Sequence, residues 1–301
     1  TLWALLGLVA SVEPVSETRG RQVRRTPWWL GVAIPVLMLA ILLLTVSLWV
    51  GHGAGQRGAA ALNGGDLEKA LLEFEAARRY DPWTASFHID LGQVYERMAE
   101  KSGAPGLLDR ARKEYQRGLA LDPYNFQYRS MYANFLLRHG EAEAGLRELE
   151  TAIACRPALA AGYENLAVAC VRVAMSPQVD GQKARQYLAR VEDVAREMGR
   201  RSGLAPAFAR NRKMPPSTPR MTLALGEARL LRGDLAGARS SLEEAARRGE
   251  LKAEASLFLA AWARLAGQDP APFLKEAASL KDAPLQAEFI AQRARSLMSA
   301  P

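Results

Sequence analysis

The sequence predicts an all-α protein in which helical hairpins stack as a solenoid after a membrane-spanning helix. Two observations predict the hairpins. Pro82, Pro123 and Pro157 close successive units, and the last two are 34 residues apart (157 − 123). The run Gly65–Leu67 (Gly-Asp-Leu) recurs at Gly233–Leu235, where glycine can end one helix and aspartate can cap the next. Because one such hairpin cannot bury its apolar face alone, the units must stack into a continuous core, with almost no strand.

The third observation is an apolar segment at residues 28–50. It holds 23 residues without a charge. At about 1.5 Å per residue it reaches roughly 34 Å, enough to cross about 30 Å of hydrocarbon. Trp28 and Trp49 lie near its ends, where indole rings favour the membrane interface. We interpret the segment as a transmembrane helix that leads through glycine-rich residues 51–58 to the repeats.

Residues 1–12 are also apolar but are too short to span a bilayer. Because the sequence begins inside this run at Thr1 rather than at a methionine, we expect a fragment or processed chain. We interpret the run as the end of a truncated transmembrane helix, with a clipped signal peptide as the alternative.

Residues 13–27 form a basic loop with four arginines. The positive-inside rule places this loop in the cytoplasm and the repeats on the extracytoplasmic side of a bacterial inner or plasma membrane. Anionic-lipid binding by the arginines is the alternative interpretation.

The rest of the chain divides by its repeat period. Residues 51–198 are predicted to hold repeats 1–4, and residues 222–301 hold repeats 5 and 6 with a capping helix. Between them, residues 199–221 form a basic, proline-rich linker that breaks the period. On the capping helix we expect four buried side chains: Leu285, Phe289, Ala294 and Leu297. The predicted helices are Gly55–Leu62, Leu67–Tyr80, Thr84–Glu100, Leu107–Leu121, Asn125–Arg138, Ala142–Ala154, Leu159–Met175, Gly181–Met198, Thr222–Leu231, Leu235–Arg247 and Pro284–Met298.

One hairpin carries a family motif. The pattern His88-x-x-Leu91-Gly92-x-x-Tyr95, followed by Ala111-x-x-x-Tyr115-x-x-Gly118 and Pro123, resembles the tetratricopeptide repeat (TPR) family, with histidine where that motif prefers tryptophan. The resemblance covers about three quarters of the chain and implies stacked antiparallel helix pairs. Small residues then let the two helices of a hairpin approach closely, at Gly92, Ala133, Ala167 and Gly226.

Charge and composition exclude several functions. The net charge of +8 falls on residues 13–26 and 199–221, so the repeats are balanced and a phosphate-tracking face is not expected. Cys155 and Cys170 form no CxxC pattern and are interpreted as core residues. The sequence holds no HExxH, GxSxG or P-loop motif. We therefore predict no catalytic residue, metal site or cofactor in this chain.

Five residues form a candidate partner-binding groove. Gln93 and Asn134 occupy the ninth position of their repeats, while Arg97, Arg138 and Arg172 occupy the thirteenth, on first helices. In the TPR family these helices line the inner surface of the solenoid. The arginines could receive acidic or phosphorylated groups of a protein or peptide. The alternative is that each arginine interacts with the C-terminal dipole of a helix.

The order of segments resembles the C-terminal part of bacterial O-antigen ligase or polymerase family proteins with a TPR extension. The resemblance rests on Trp3–Leu8 as a final core span, the arginine loop, the span at 28–50 and the run Tyr80–Trp83 that opens the repeats. It implies a module that recruits partners for a membrane enzyme of envelope polysaccharide biosynthesis. The positive charge of linker 199–221 beside neutral repeats leaves room for an anionic glycan contact. Whether the parent protein is an enzyme is left open. The alternative is a non-enzymatic membrane-anchored TPR scaffold for envelope assembly.

Overall fold

A computed structural model describes residues 30–104, 106–202 and 214–299. These residues form thirteen α-helices and no strand, which confirms the all-α prediction. The chain divides into two compact units, one ending at Trp49 and the other beginning at Val50. The helices are α1 (Leu30–Asn63), α2 (Leu67–Tyr80), α3 (Ala85–Ser102), α4 (Leu107–Leu121), α5 (Phe126–Arg138), α6 (Ala142–Cys155), α7 (Ala160–Met175), α8 (Gly181–Ser202), α9 (Pro219–Arg232), α10 (Leu235–Arg247), α11 (Lys252–Leu265), α12 (Ala271–Glu276) and α13 (Ala283–Ser299).

The second unit is a TPR-type solenoid of helical hairpins. α3 pairs with α4, α5 with α6, α7 with α8, and α9 with α10. The bounds predicted for α2, α4 and α10 agree with the structure. The predicted caps are confirmed as well, because Asp66 accepts a hydrogen bond from Lys69 N and Asp234 accepts one from Gly237 N.

Close approach of helices occurs at the predicted small residues. A Cβ atom on Gly92 would stand 3.0 Å from the ring of Tyr115, and one on Gly226 would stand 2.8 Å from Leu242. Ala133 and Ala167 are fully buried. The hairpins therefore pack with almost no space between their helices at these positions.

The structure corrects the predicted break after the apolar segment. We expected a glycine-rich exit and a new helix from Gly55, but α1 continues from Leu30 to Asn63. Gly55 lies against the ring of Phe87, and a Cβ atom on Gly58 would stand 3.0 Å from the ring of Phe74. These glycines allow the aromatic rings to pack closely against α1. This packing offsets the loss of about 1 kcal/mol of helix stability that glycine causes relative to alanine.

The apolar part of α1 is exposed. Its large side chains between Val32 and Val46 are each about half exposed. By length and composition, α1 is able to cross a membrane, because a stretch of 18 residues within it has a mean hydropathy of 2.5, and an N-terminal signal sequence has the same features. The predicted apolar run at 1–12 and the arginine loop lie outside the described residues.

The last helix packs differently from the prediction. Ala294 and Leu297 are buried as expected, but Leu285 is 73% exposed and Phe289 is 47% exposed. The buried face instead carries Ala287, Ile290 and Ala291. α13 packs on α9 and α11, and these alanines allow the close approach that a leucine or phenylalanine would prevent.

The predicted linker is shorter than expected at both ends. α8 continues through Ser202, and α9 begins at Pro219, where Thr218 accepts a hydrogen bond from Met221 N. Met214 is buried in the same apolar cluster as Met198 and Met221. Residues 203–213 lie outside the described part of the chain.

Candidate partner-binding face

Two neighbouring first helices each carry a pair of polar residues, and the two residues of each pair lie one helical turn apart. α3 carries Gln93 and Arg97, and α5 carries Asn134 and Arg138. Residues four apart share one face of a helix. Arg97, Asn134 and Arg138 are exposed and Gln93 is half-buried. The apolar stripe of each helix therefore turns these four side chains towards the surface.

Three of the predicted residues surround one cavity. Gln93, Arg97 and Arg138 line a space of about 210 Å³ together with Glu96 and Glu100. Two cations thus face two carboxylates. The charge inside this cavity is therefore balanced, whereas the repeated arginines alone had indicated a basic site.

Arg138 joins α5 to the preceding repeat. Its Nη2 atom lies 2.7 Å from Glu96 Oε1, and its Nε atom donates to the same oxygen. Glu96 is only 2% exposed and also accepts a hydrogen bond from Tyr115 Oη at 3.1 Å. The Arg138 side chain itself remains 51% exposed. Its guanidinium group therefore anchors the stacking of two repeats and still presents N–H groups to solvent.

Arg97 has a different partner. Its Nη1 atom donates to the carbonyl oxygen of Leu62 at 3.1 Å, in the last turn of α1. The carbonyl groups in the last turn of a helix have no partner inside that helix. Arg97 thus caps a neighbouring helix end, as the alternative interpretation of the arginines supposed, although the helix is not its own.

Gln93 is also held in place. Its Nε2 atom donates to Asp90 Oδ1 at 3.1 Å. Burial raises the pKa of Asp90 to about 6. This hydrogen bond uses one N–H group of the Gln93 amide and leaves the acceptor capacity of its oxygen unused.

Asn134 lines a second, larger cavity of about 710 Å³. Gln127 and Ser130 of α5 and Asn165 of α7 share its wall. Because Asn134 lies one turn before Arg138, both cavities open on α5. The pair of cavities forms a polar face along the first helices of repeats 2, 3 and 4, here named the first-helix face.

Arg172 does not join this face. It is exposed near the end of α7 and lines neither cavity. Its charge acts instead on Glu227 of α9, where burial raises the carboxyl pKa to about 8 and Arg172 opposes that rise. The sequence predicted a row of three equivalent arginines. In the structure, Arg97 and Arg138 line one cavity, and Arg172 lies apart from them.

Sequence reasoning missed a buried polar cluster behind the first-helix face. His88 Nδ1 is hydrogen-bonded to Glu114 Oε2 at 2.7 Å, and both residues are almost fully buried. Arg78 and Arg117 also bind Glu114. The signal was the histidine at the position where the motif prefers tryptophan, because a buried imidazole requires a polar partner.

A third cavity, of about 850 Å³, lies between second helices. Ile153 of α6 and Val194 of α8 are among its apolar walls, with Tyr163 and Leu166 of α7. Repeat register alone does not predict this cavity, because its residues come from separate repeats.

The described residues hold no group of three or more His, Cys, Asp or Glu side chains placed to bind a metal ion. Burial raises the pKa of the Cys170 thiol to about 12, so at neutral pH this thiol is protonated and unreactive. The first-helix face offers amide, guanidinium and carboxylate groups.

Comparison with protein-family models and with curated proteins gave no match. Among solved structures, that of Pseudomonas aeruginosa pilF is similar, with 20% identity, a TM-score of 0.50, and coverage of 82% of this chain and 97% of that one. PilW, a type IV pilus biogenesis factor, has 18% identity, a TM-score of 0.49, and coverage of 83% and 99%. TTC0263, a TPR protein of Thermus thermophilus, has 21% identity, a TM-score of 0.45, and coverage of 69% and 99%. At these identities the pilF likeness supports the fold alone.

Proposed function

We propose that this chain is the protein-interaction part of a membrane-anchored protein, and that it binds an extended polypeptide on the first-helix face. The observation that carries the proposal is the pair of cavities that open on α5, with Gln93, Arg97 and Arg138 around one and Asn134 in the other. An elongated, polar site that crosses several repeats suits a chain segment better than a compact small molecule.

The chemistry of the face indicates the kind of segment. Asn134, Asn165 and Gln127 carry side-chain amides, which both donate and accept hydrogen bonds, as a peptide backbone does. The balanced charges beside Arg138 disfavour a strongly acidic ligand. Arg138 has N–H donors left after binding Glu96. We therefore propose a mostly uncharged peptide that places a single carboxylate near Arg138.

The test is peptide selection followed by substitution. Peptides would be selected from a displayed library against the full chain in lipid nanodiscs, and their affinities measured for two variants. Asn134→Ala should weaken binding about fivefold, because one peptide hydrogen bond contributes about 1 kcal/mol. The matched control is Lys113→Ala, an exposed cation of the second helix α4. Peptides whose affinity is the same for both variants would contradict the proposal.

Membrane anchoring by α1 is part of the proposal. The exposed apolar side chains between Val32 and Val46 need an apolar environment. The hydroxyl of Thr45 donates to the carbonyl oxygen of Ile41 at 2.7 Å, so this polar group is satisfied within the helix, as lipid requires. We further propose that residues 13–27 are cytoplasmic and that the repeats are extracytoplasmic.

Cysteine labelling tests this topology. In a Cys155→Ala background, Glu68→Cys on the exposed start of α2 should react with a membrane-impermeant thiol reagent in spheroplasts. Gln22→Cys should react only after lysis. The opposite labelling pattern would reverse the orientation, and equal labelling of both before lysis would exclude a span at α1.

A finer proposal concerns the parent protein. The segment order resembles O-antigen ligase or polymerase family proteins, so the repeats would recruit a partner to an enzyme of envelope glycan transfer, with linker 199–221 contacting an anionic glycan. The alternative remains a tethered scaffold without enzymatic activity. The reading frame before Thr1 separates them. Several further spans with an external loop bearing arginine and histidine would support the enzyme, whereas an initiation codon a few residues upstream would support the scaffold.

A further inference from the structure

The second unit has two contrasting edges. The turns between repeats, at residues 80–84, 121–125 and 155–159, form what we name the proline edge. The turns inside repeats, at residues 63–66, 102–104 and 139–141, form the glycine edge. Because paired helices run antiparallel, the two sets of turns lie at opposite ends of the helices. Gly51 lies beside Tyr80 and Asp81, so the chain enters the second unit at the proline edge.

The two edges differ in composition. Three aromatic side chains are exposed at the proline edge: Tyr80 at 45%, Trp83 at 66% and Tyr124 at 80%. The three turns of the glycine edge contain only glycine, alanine and polar residues. Trp83 and Tyr124 each follow the closing proline of a repeat, so the same position is aromatic twice. Neither ring is needed for the core.

The carboxylates of the proline edge are held by hydrogen bonds within their own turns. Asp81 is only 8% exposed and accepts hydrogen bonds from Trp83 N at 3.2 Å and from the Thr84 hydroxyl at 2.6 Å. Asp122 accepts one from Asn125 Nδ2 at 2.9 Å. Arg79 and Arg156, in contrast, are exposed close to the turns. The edge thus presents aromatic rings and cations to its surroundings.

We propose that the proline edge rests on the surface of the lipid bilayer, with Trp83 and Tyr124 in the headgroup region. This inference depends on the proposed anchoring by α1 and goes beyond it. α1 is one helix from Leu30 to Asn63, and its residue Gly51 lies at the proline edge. Indole and phenol rings favour the membrane interface, because one part of each is apolar and the other forms hydrogen bonds. Exposed arginines complement the phosphate groups of lipids.

The experiment places a fluorophore on each edge of the full chain in a Cys155→Ala background. Ala120→Cys carries the label in the last turn of α4, near the proline edge, and Asn63→Cys carries the control label at the glycine edge. Both residues are exposed. The chain is reconstituted at one copy per nanodisc, with a nitroxide on the phosphatidylcholine headgroup as quencher. We expect quenching at position 120 and background fluorescence loss at position 63.

A double variant tests the aromatic side chains directly. Trp83→Ser with Tyr124→Ser should lower quenching at position 120 to the level at position 63, while the chain still floats with lipid vesicles. A chain that floats but shows equal quenching at both positions would overturn the inference and leave the anchoring intact. A chain that does not float would overturn both. A second copy or a protein partner on this edge would leave position 120 unquenched, because single-copy nanodiscs contain neither.

Discussion

Adding one methyl group at Gly92 tests the packing of the second repeat. A Cβ atom there would meet three ring atoms of Tyr115 at 3.0 to 3.1 Å. Tyr115 is 1% exposed, its hydroxyl donates to Glu96, and its ring lies 5.2 Å from that of Phe135. If the Tyr115 ring moved away from the new methyl group, it would weaken its hydrogen bond to Glu96 or its contact with Phe135.

The magnitude follows from two opposing contributions. Replacing glycine by alanine inside a helix stabilises it by about 1 kcal/mol. Overpacking a filled core costs about 1–3 kcal/mol. Gly92→Ala should therefore range from neutral to about 2 kcal/mol destabilising, and Gly92→Leu should be more destabilising still.

Gly53→Ala is the matched control. A Cβ atom on Gly53 would meet only Arg57 Nη1, at 3.6 Å, so the substitution should stabilise the helix by about 1 kcal/mol. The difference between the two variants isolates the packing contribution of about 1–3 kcal/mol. Urea unfolding of the full chain in detergent, followed by far-ultraviolet circular dichroism, measures both. If Gly92→Ala stabilised the chain as much as Gly53→Ala, the assignment of Gly92 as a close-approach position would be wrong.

Three further predictions concern charged groups. Burial opposes ionisation of Glu114, but the hydrogen bond with His88 and two nearby arginines outweigh it and lower the carboxyl pKa. Stabilisation by this carboxylate is present above the unfolded-state pKa and is lost as the pH falls through the folded-state value. Glu114→Gln should therefore reduce the free energy of unfolding by about 1.5–3 kcal/mol at pH 7. Urea unfolding at about pH 3 should show a smaller difference between the variant and the wild-type chain. For Glu227, burial raises the pKa to about 8, so the wild-type chain should lose stability as the pH rises from about 4.5 to 8. Glu227→Gln should remove that loss, by more than about 1.4 kcal/mol between pH 5 and 8, and parallel pH profiles of the two chains would exclude a neutral carboxyl at residue 227. Arg293→Ala should increase hydrogen exchange in α13, because its guanidinium donates to three backbone carbonyls. The exposed Arg295→Ala should leave exchange unchanged, and equal exchange in the two variants would show that these bonds do not hold the helix.

The helices were predictable where local and repeated signals agreed. Asp66 and Asp234 follow glycine in the same motif, and each caps its helix as expected. The role of Gly55 and Gly58 was not predictable in this way, because a glycine can either end a helix or allow another residue to pack closely against it. The choice depends on Phe74 and Phe87, which lie 16 and 32 residues further along the chain (74 − 58 and 87 − 55).

The candidate site was predictable only in part. Repeat register grouped Gln93, Arg97 and Arg138 on first helices, and in the structure these residues line one cavity. It did not reveal that Glu96 binds Arg138, because their contact joins neighbouring repeats and depends on how the hairpins stack. Arg172 has the same repeat position but lines neither cavity of the first-helix face. Equivalent positions in a sequence repeat therefore define a helix face and leave the side-chain partners open.

The last helix also determines the order in which this solenoid can be completed. In most repeat arrays each unit contacts only its neighbours, so folding can advance along the chain as it is synthesised. Here Arg293 binds the carbonyl oxygens of Ala174, Ser176 and Val179 at the end of α7, and Arg185 of α8 binds the carbonyl oxygen of Leu297. These contacts join residues more than 110 positions apart, and forming such distant contacts slows folding. Repeats 1–3 can therefore fold during synthesis, whereas the fourth repeat stays incomplete until α13 has emerged from the ribosome.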